Sequence, residues 1–516
     1  MIASAAASRR VSPPMLLRIA AASIACAVAA GLLAVLALRS TSTLIHVGAP
    51  AILAGVAIWM FFSERYDRTL AVLALYLGLL DGFLKLKTGS TIATLGRDVL
   101  LYAIAAGALV RLTLRRRPFH IPTLTLGVLA WVVICVAQVL NPVVPSISHA
   151  LAGVRQHIEF VPLFFLGYAV MRSERRLMGL FGLLLLVAAA NGVVSLVQSH
   201  LSPAQLAAWG PGYAKEVLGT GSLAGAGRTF VDTTTGAAHV RPPALGSDFG
   251  FGGVVAAMAL PGALALMVAG GSYRRYVPLL GAGVILAVVG LATSQARTAV
   301  VIAAVAVLFF LLLTATSRRG LAAVVVTAMI ALVTYFAVTT LFASVTSSPN
   351  RYSSIAPTKV ISTTIAYRES TLALIPTYIV DYPLGAGIGS SGPAGGSAVG
   401  GSVTTGLDAE SEPTFLIIEL GIPGLIAMCA LVLCAIGMGV ALRMVAERRL
   451  QYALGALTAV LIALTVSWVV GINTANSPTA PFIWLALGTL AYWHSEMRRR
   501  RVGSRPRRLR ASLATR

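Results

Sequence analysis

The chain has 516 residues, of which 57% are hydrophobic and 11% charged, and its mean hydropathy is +0.85. This balance excludes an ordinary soluble enzyme, whose charged share runs near ~25%, and with it a disordered tail or a disulfide scaffold. The formal charge of +23 would suit a nucleic-acid partner on a soluble domain, but here it tracks the ends of apolar runs, and nucleic acid is set aside.

Crossing the hydrocarbon core takes about 20 apolar residues in a helix. Runs near that length fall at 15–38, 44–62, 69–84, 98–113, 121–140, 150–171, 176–199, 245–270, 276–293, 298–315, 321–343, 413–442, 451–473 and 479–495. They predict an all-α integral membrane protein of about 14 transmembrane helices, a single polytopic domain over residues 1–516. The third and fourth runs are short, and 84–97 between them reads as a re-entrant candidate. The first run follows Arg9, Arg10 and Arg18 and exceeds the apolar part of a cleaved signal peptide, so a retained span is expected. Cys26, Cys135, Cys429 and Cys434 lie inside apolar runs and read as small core residues.

Placing the N-terminus in the cytoplasm and alternating sides gathers the arginine-rich connections on one side. Arg65 and Arg68 fall there, with Arg111 to Arg117, Arg172 to Arg176, Arg274 and Arg275, Arg318 and Arg319, Arg443 to Arg449, and the basic tail 497–516. The whole +23 excess then lies inside, and the remaining charges balance. That is the positive-inside pattern, with both termini cytoplasmic and the tail also meeting lipid headgroups. Two connections are long, 200–244 and 344–412, and both fall outside. Long connections in a compact domain usually carry function, so the chemistry is expected on the external face.

Arginines outside the cytoplasmic connections run against that pattern and are informative. Arg155 lies in Gly153-Val-Arg-Gln-His-Ile-Glu159, and Arg241 opens Arg241-Pro-Pro-Ala-Leu-Gly-Ser-Asp248. Arg297 stands in Thr293-Ser-Gln-Ala-Arg-Thr298, and Arg368 in Ala366-Tyr-Arg-Glu-Ser370. Converging guanidiniums suit a diphosphate, because they pair bidentately with phosphate and keep their charge. The plainer reading is an interfacial anchor or an intrahelical pair, such as Arg155 with Glu159.

An amphipathic helical stretch from about Thr364 to Val380 leads into Tyr382-Pro-Leu-Gly-Ala-Gly-Ile-Gly389. Gly385, Gly387 and Gly389 permit tight turns that expose backbone N–H groups to an anion. On spacing alone a flexible loop is the commoner outcome for nine glycines between Gly385 and Gly406. Asp408-Ala-Glu-Ser-Glu412 then precedes the twelfth run; its carboxylates supply either a general base for a hydroxyl acceptor or an acidic cap on the helix. Glu419 lies two turns into that run, where a carboxylate is costly without a partner. His149, His157, His200 and His239 show no metal spacing, and no zinc site is expected.

Taken in order, these pieces resemble the O-antigen ligase and polymerase superfamily of bacterial envelope proteins over roughly residues 150–430. The resemblance rests on Gly-Val-Arg155, Arg241-Pro-Pro-Ala-Leu-Gly, Thr-Ser-Gln-Ala-Arg297, Arg368, Pro383-Leu-Gly-Ala-Gly-Ile-Gly and Glu419-Leu-Gly-Ile-Pro-Gly-Leu. It implies a GT-C-like helical glycosyltransferase in the bacterial cytoplasmic membrane, acting on a polyprenyl-diphosphate-linked oligosaccharide and a glycan acceptor. It implies no cofactor and no metal, with a flippase and a chain-length regulator as pathway partners. By the same resemblance, Arg297 and Arg368, with Arg241, hold the departing diphosphate, and Arg155, Gly385, Gly387 and Gly389 line its site. Ligases of the family carry a His nine residues before Glu-Leu-Gly, and Glu410 stands there in this chain. A repeat-unit polymerase with Glu410 as base is therefore favoured over a ligase, with Glu412, Asp408, His239 and Glu419 as further candidates. The rival classes are a lipid-linked oligosaccharide flippase or other transporter, for which no internal repeat is found, and a cell-wall polymerase of the shape-and-division class.

Overall fold

The computed structural model describes residues 43–89, 92–114, 121–144, 146–218, 229–231, 238–269, 275–315, 372–392, 409–442 and 447–514, with isolated positions between 322 and 369. The chain divides into two units, Met1–Val56 and Ala57–Arg516. The first is described from Thr43, where helix α1 (Thr43–Phe62) begins and runs on into the second. The candidate functional residues all belong to the second.

That unit is helical. In chain order come α2 (Tyr66–Thr88), α3 (Ile92–Leu114), α4 (Thr125–Ala137), α5 (Ile147–Ile158), α6 (Pro162–Val170) and α7 (Glu174–Gln198). The short helices α8 (Pro203–Ala207) and α9 (Pro211–Leu218) follow, then an antiparallel hairpin of β1 (Thr229–Val231) and β2 (Ala238–Val240). The rest are α10 (Phe251–Val268), α11 (Val277–Thr293), α12 (Arg297–Thr314), α13 (Ile375–Asp381), α14 (Glu412–Leu442), α15 (Arg448–Val466) and α16 (Thr479–Ala514). Among the described residues six helices are long and apolar enough to cross a membrane: α2, α7, α10, α12, α14 and α15 with its short extension to Val469. Shorter apolar helices cover Ala51–Phe62, Thr125–Leu140 and Val277–Thr293. The chain has the build of a helical membrane protein. The expected first span, and most of the one at 321–343, lie outside the described residues.

Small residues set how closely the helices approach. α10 is buried along almost its whole length, with α7, α11, α12 and α15 around it. In lipid the hydrophobic effect does not pull helices together, so close contact between small residues supplies the attraction. Gly192 on α7 and Gly290 on α11 meet backbone to backbone, and a Cβ on Gly290 would stand 2.8 Å from Gly192 Cα. Gly167 on α6 and Gly488 on α16 do the same: a Cβ on either would run into a carbonyl oxygen of the other helix.

Three expectations are corrected. The region 84–97 is not re-entrant over its described residues, because α2 ends at Thr88 with Gly89 in the left-handed cap position and α3 begins at Ile92. The sixth run is not one helix: α5 stops before Pro162, and the turn tightens to i,i+3 bonds such as Val161 N–H to Ile158 O at 3.0 Å. The loop 200–244 carries α8, α9 and the hairpin.

The glycine-rich run is the third, because between Pro383 and Gly392 it is a packed strap, not a flexible loop. Gly385, Gly387 and Gly389 take φ of 92°, 98° and 80°, conformations that a Cβ disfavours. Ala386 and Ile388 are fully buried, and Ala386 N–H donates to Ile418 O at 2.6 Å. Ile422 N–H donates to Pro383 O at 2.9 Å, opposite a kink where Gly421 takes φ 68°. A Cβ on Gly389 would collide with the His149 carbonyl oxygen of α5. Gly389→Ala is accordingly expected to cost about 1–3 kcal/mol, the usual penalty of overpacking. Gly182→Ala, which meets nothing within 4 Å, should leave the thermal midpoint in detergent unchanged or raised. Equal midpoints for the two variants would contradict the packed strap.

Candidate functional site

Two predicted arginines lie at one end of the unit, on segments that both border Gly250. The segment after β2 turns back through Pro242 and Pro243, both buried, into Gly250, which opens α10 with φ 95°. Across from it, α11 ends at Thr293, whose hydroxyl donates to Ser195 Oγ at 2.8 Å, and Gln295 takes φ 52° before α12 begins at Arg297. A Cβ on Gly250 would stand 2.8 Å from Ala296 Cβ and 3.8 Å from Arg241 Nη2. The Arg241 guanidinium and the turn before α12 thus both border Gly250. Both arginines are half-buried.

The start of α12 adds to this charge. Ala296 at its N-cap has no side chain to accept the first-turn N–H groups. An uncapped helix N-terminus is electropositive, and a basic residue there works against the helix dipole unless an anion offsets it. The first turn of α12, Arg297 on it and the Arg241 segment beside Gly250 together make an arginine patch at this end.

The acidic segment lies at the same end. Ser411 caps α14: Thr414 N–H donates to Ser411 Oγ at 3.3 Å, and Ser411 N–H donates to Thr414 Oγ1 at 3.2 Å. Glu412 does something else. It is fully buried and accepts Asn473 N–H at 2.5 Å, Thr474 N–H at 3.0 Å and the Thr474 hydroxyl. It ties the start of α14 to the loop between α15 and α16. Glu410, two residues earlier, is half-buried. Because α12 packs along α15 and its extension Ser467–Val469, the arginine patch and the Glu410 segment share one end.

Glu419 has found partners for its intramembrane carboxylate. Oε2 lies 2.7 Å from His157 Nε2, and Oε1 accepts Ser391 N–H at 3.0 Å, with both side chains fully buried. The His157 ring stacks on Phe415 at 5.0 Å, and Trp131 stands edge-on to it at 5.6 Å. One carboxylate thus joins α5, the strap and α14. Gly385 and Gly389 stand inside this packing, against the backbone of Glu419 and His149 respectively, and Gly387 faces Val144.

Sequence reasoning stopped at Arg155 and missed the network around it. Arg97 grips Glu159 bidentately, its Nη2 at 2.9 Å from Oε2, and reaches Asp81 at 3.5 Å. Arg155 pairs with Asp98 at 2.7 Å. Glu159 is thus gripped from α3, across to a second helix. The signal was present, since Asp81, Arg97, Asp98 and Glu159 are ionisable residues beside or within apolar runs. Among the described residues no three His, Cys, Asp or Glu side chains gather as metal ligands.

Arg368 and Asp408 lie outside the described residues, as does the side chain of His239, whose backbone pairs with Phe230 in the hairpin. In comparison with known proteins the chain matches no family model and no curated protein.

Proposed function

We propose that this chain is a membrane glycosyltransferase that polymerises polyprenyl-diphosphate-linked glycan repeat units outside the bacterial cytoplasmic membrane. In this reading it crosses that membrane about 14 times in a GT-C-like arrangement, with both termini inside. The observation that carries it is that the Arg241 guanidinium and the uncapped start of α12, which bears Arg297, both border Gly250. This patch holds the donor diphosphate and stabilises it as it leaves, with Arg368 as a further contact. Glu410 accepts the proton of the attacking acceptor hydroxyl. The new glycosidic C–O bond forms at the anomeric carbon as its bond to the diphosphate oxygen breaks, and polyprenyl diphosphate departs. Fixed positive charge for the leaving group and a carboxylate to take the hydroxyl proton, both at one end of the helical unit, are what support the step.

Cells lacking the protein should accumulate single lipid-linked repeat units in the outer leaflet, detectable by an impermeant glycan-binding probe on intact cells. Accumulation confined to the inner leaflet is the signature of a lost flippase and would overturn the assignment.

A further inference from the structure

The Arg241 segment is held by more than its own turn. Gln198, the last residue of α7, is 1% exposed and pairs both ends of its amide with the backbone of Ala244. Its Nε2 donates to Ala244 O at 3.0 Å, and its Oε1 accepts Ala244 N–H at 2.7 Å. Two turns earlier on α7, the buried Asn191 accepts Leu245 N–H at 3.0 Å and donates to Gly78 O at 2.9 Å. From the opposite side, Gly82 on α2 brings its backbone against Gly246 and Ser247, so closely that a Cβ would collide with both.

Ala244 needs this grip. Its φ is 56°, a left-handed conformation that alanine adopts only where its surroundings fix it. Between Ala244 and Arg241 stand only Pro242 and Pro243, whose rings fix φ. A stiff pair of residues passes any rotation at Ala244 on to Arg241. The clamp therefore acts where the backbone is strained, and the guanidinium sits at the other end of a short rigid arm.

We propose that Gln198 is the positioning residue of the diphosphate site: its amide clamp on Ala244 sets where the Arg241 guanidinium lies beside Gly250. The inference rests on the donor reading above and assigns that site a part from a helix that does not touch the ligand.

The test is a double-mutant cycle on the full chain in detergent, with calorimetric binding of geranylgeranyl diphosphate as readout. Gln198→Met keeps length and burial while removing both the donor and the acceptor. It should weaken binding about 3- to 10-fold, in the lower part of the coupling seen between residues of one network. In an Arg241→Ala background the same change should add less than about twofold, since the group it positions is gone. Gln451→Leu, a buried glutamine at the other end of α15, should leave binding unchanged. An equal loss from Gln198→Met in both backgrounds would reduce Gln198 to a structural residue and overturn the inference, as would undiminished binding. Should Gln198→Met fail to fold, Gln198→Glu retains the acceptor for Ala244 N–H and carries the same comparison. If the unsubstituted protein binds no prenyl diphosphate, or if Arg241→Ala binds as well as it does, the donor reading itself falls and the inference with it.

Discussion

Replacing Arg297 by Ala is expected to slow polymer formation steeply while the protein remains folded in the membrane, and Arg241→Ala should do nearly as much. A hydrogen bond to a charged group contributes about 1.5–3 kcal/mol. Lost in the transition state, that range corresponds to a rate decrease of about 10- to 150-fold per arginine. The two should be less than additive, because in this reading both act on one diphosphate. Lys at either position should rescue in part: a point charge keeps the attraction to phosphate but loses the bidentate geometry. Initial rates on a lipid-linked donor, with thermal midpoints as control, check this. Full activity in both alanine variants would make these residues interfacial anchors.

The second large effect separates two carboxylates that stand two residues apart. Glu410→Gln preserves shape and removes the proton acceptor, so turnover should fall by about 10²–10⁴-fold with donor affinity and thermal midpoint retained. Glu412→Gln should instead lower the midpoint. Its carboxylate already accepts from Asn473 N–H, Thr474 N–H and the Thr474 hydroxyl, and an amide cannot match a charged acceptor for all three. The competing base candidate from the sequence becomes the tie that fixes the start of α14. A turnover loss confined to Glu412→Gln, with Glu410→Gln at the normal rate, would reverse the two roles.

The large features were legible because each rests on one strong regularity. Apolar runs near the required length located the helices, and α7, α10, α12, α14 and α15 lie within a few residues of where the runs place them. The two arginines were found by their conflict with the charge pattern, which says that something unusual sits there but not what lies beside it. What stayed hidden depended on contacts between distant segments. Glycine spacing cannot distinguish a loose loop from a strap, since the same positive φ serves both. The difference lies in Gly153, Gly421 and Ile418, which are remote in sequence and receive the strap. The pairing of Arg97 with Glu159 spans 62 residues, and the obvious i,i+4 partner concealed it. Gln198 was invisible for a similar reason: a lone glutamine at a helix end has many uses, and its role appears only with Ala244 in place.

The most direct measurement is chemical. Purified protein in proteoliposomes would be given one polyprenyl-diphosphate-linked oligosaccharide as the sole glycan, with no nucleotide sugar present. The expected result is a ladder of longer lipid-linked glycans, with one polyprenyl diphosphate released for each repeat added. Donor recovered intact, with no polyprenyl diphosphate released while the Arg297→Ala protein behaves identically, would contradict the assignment.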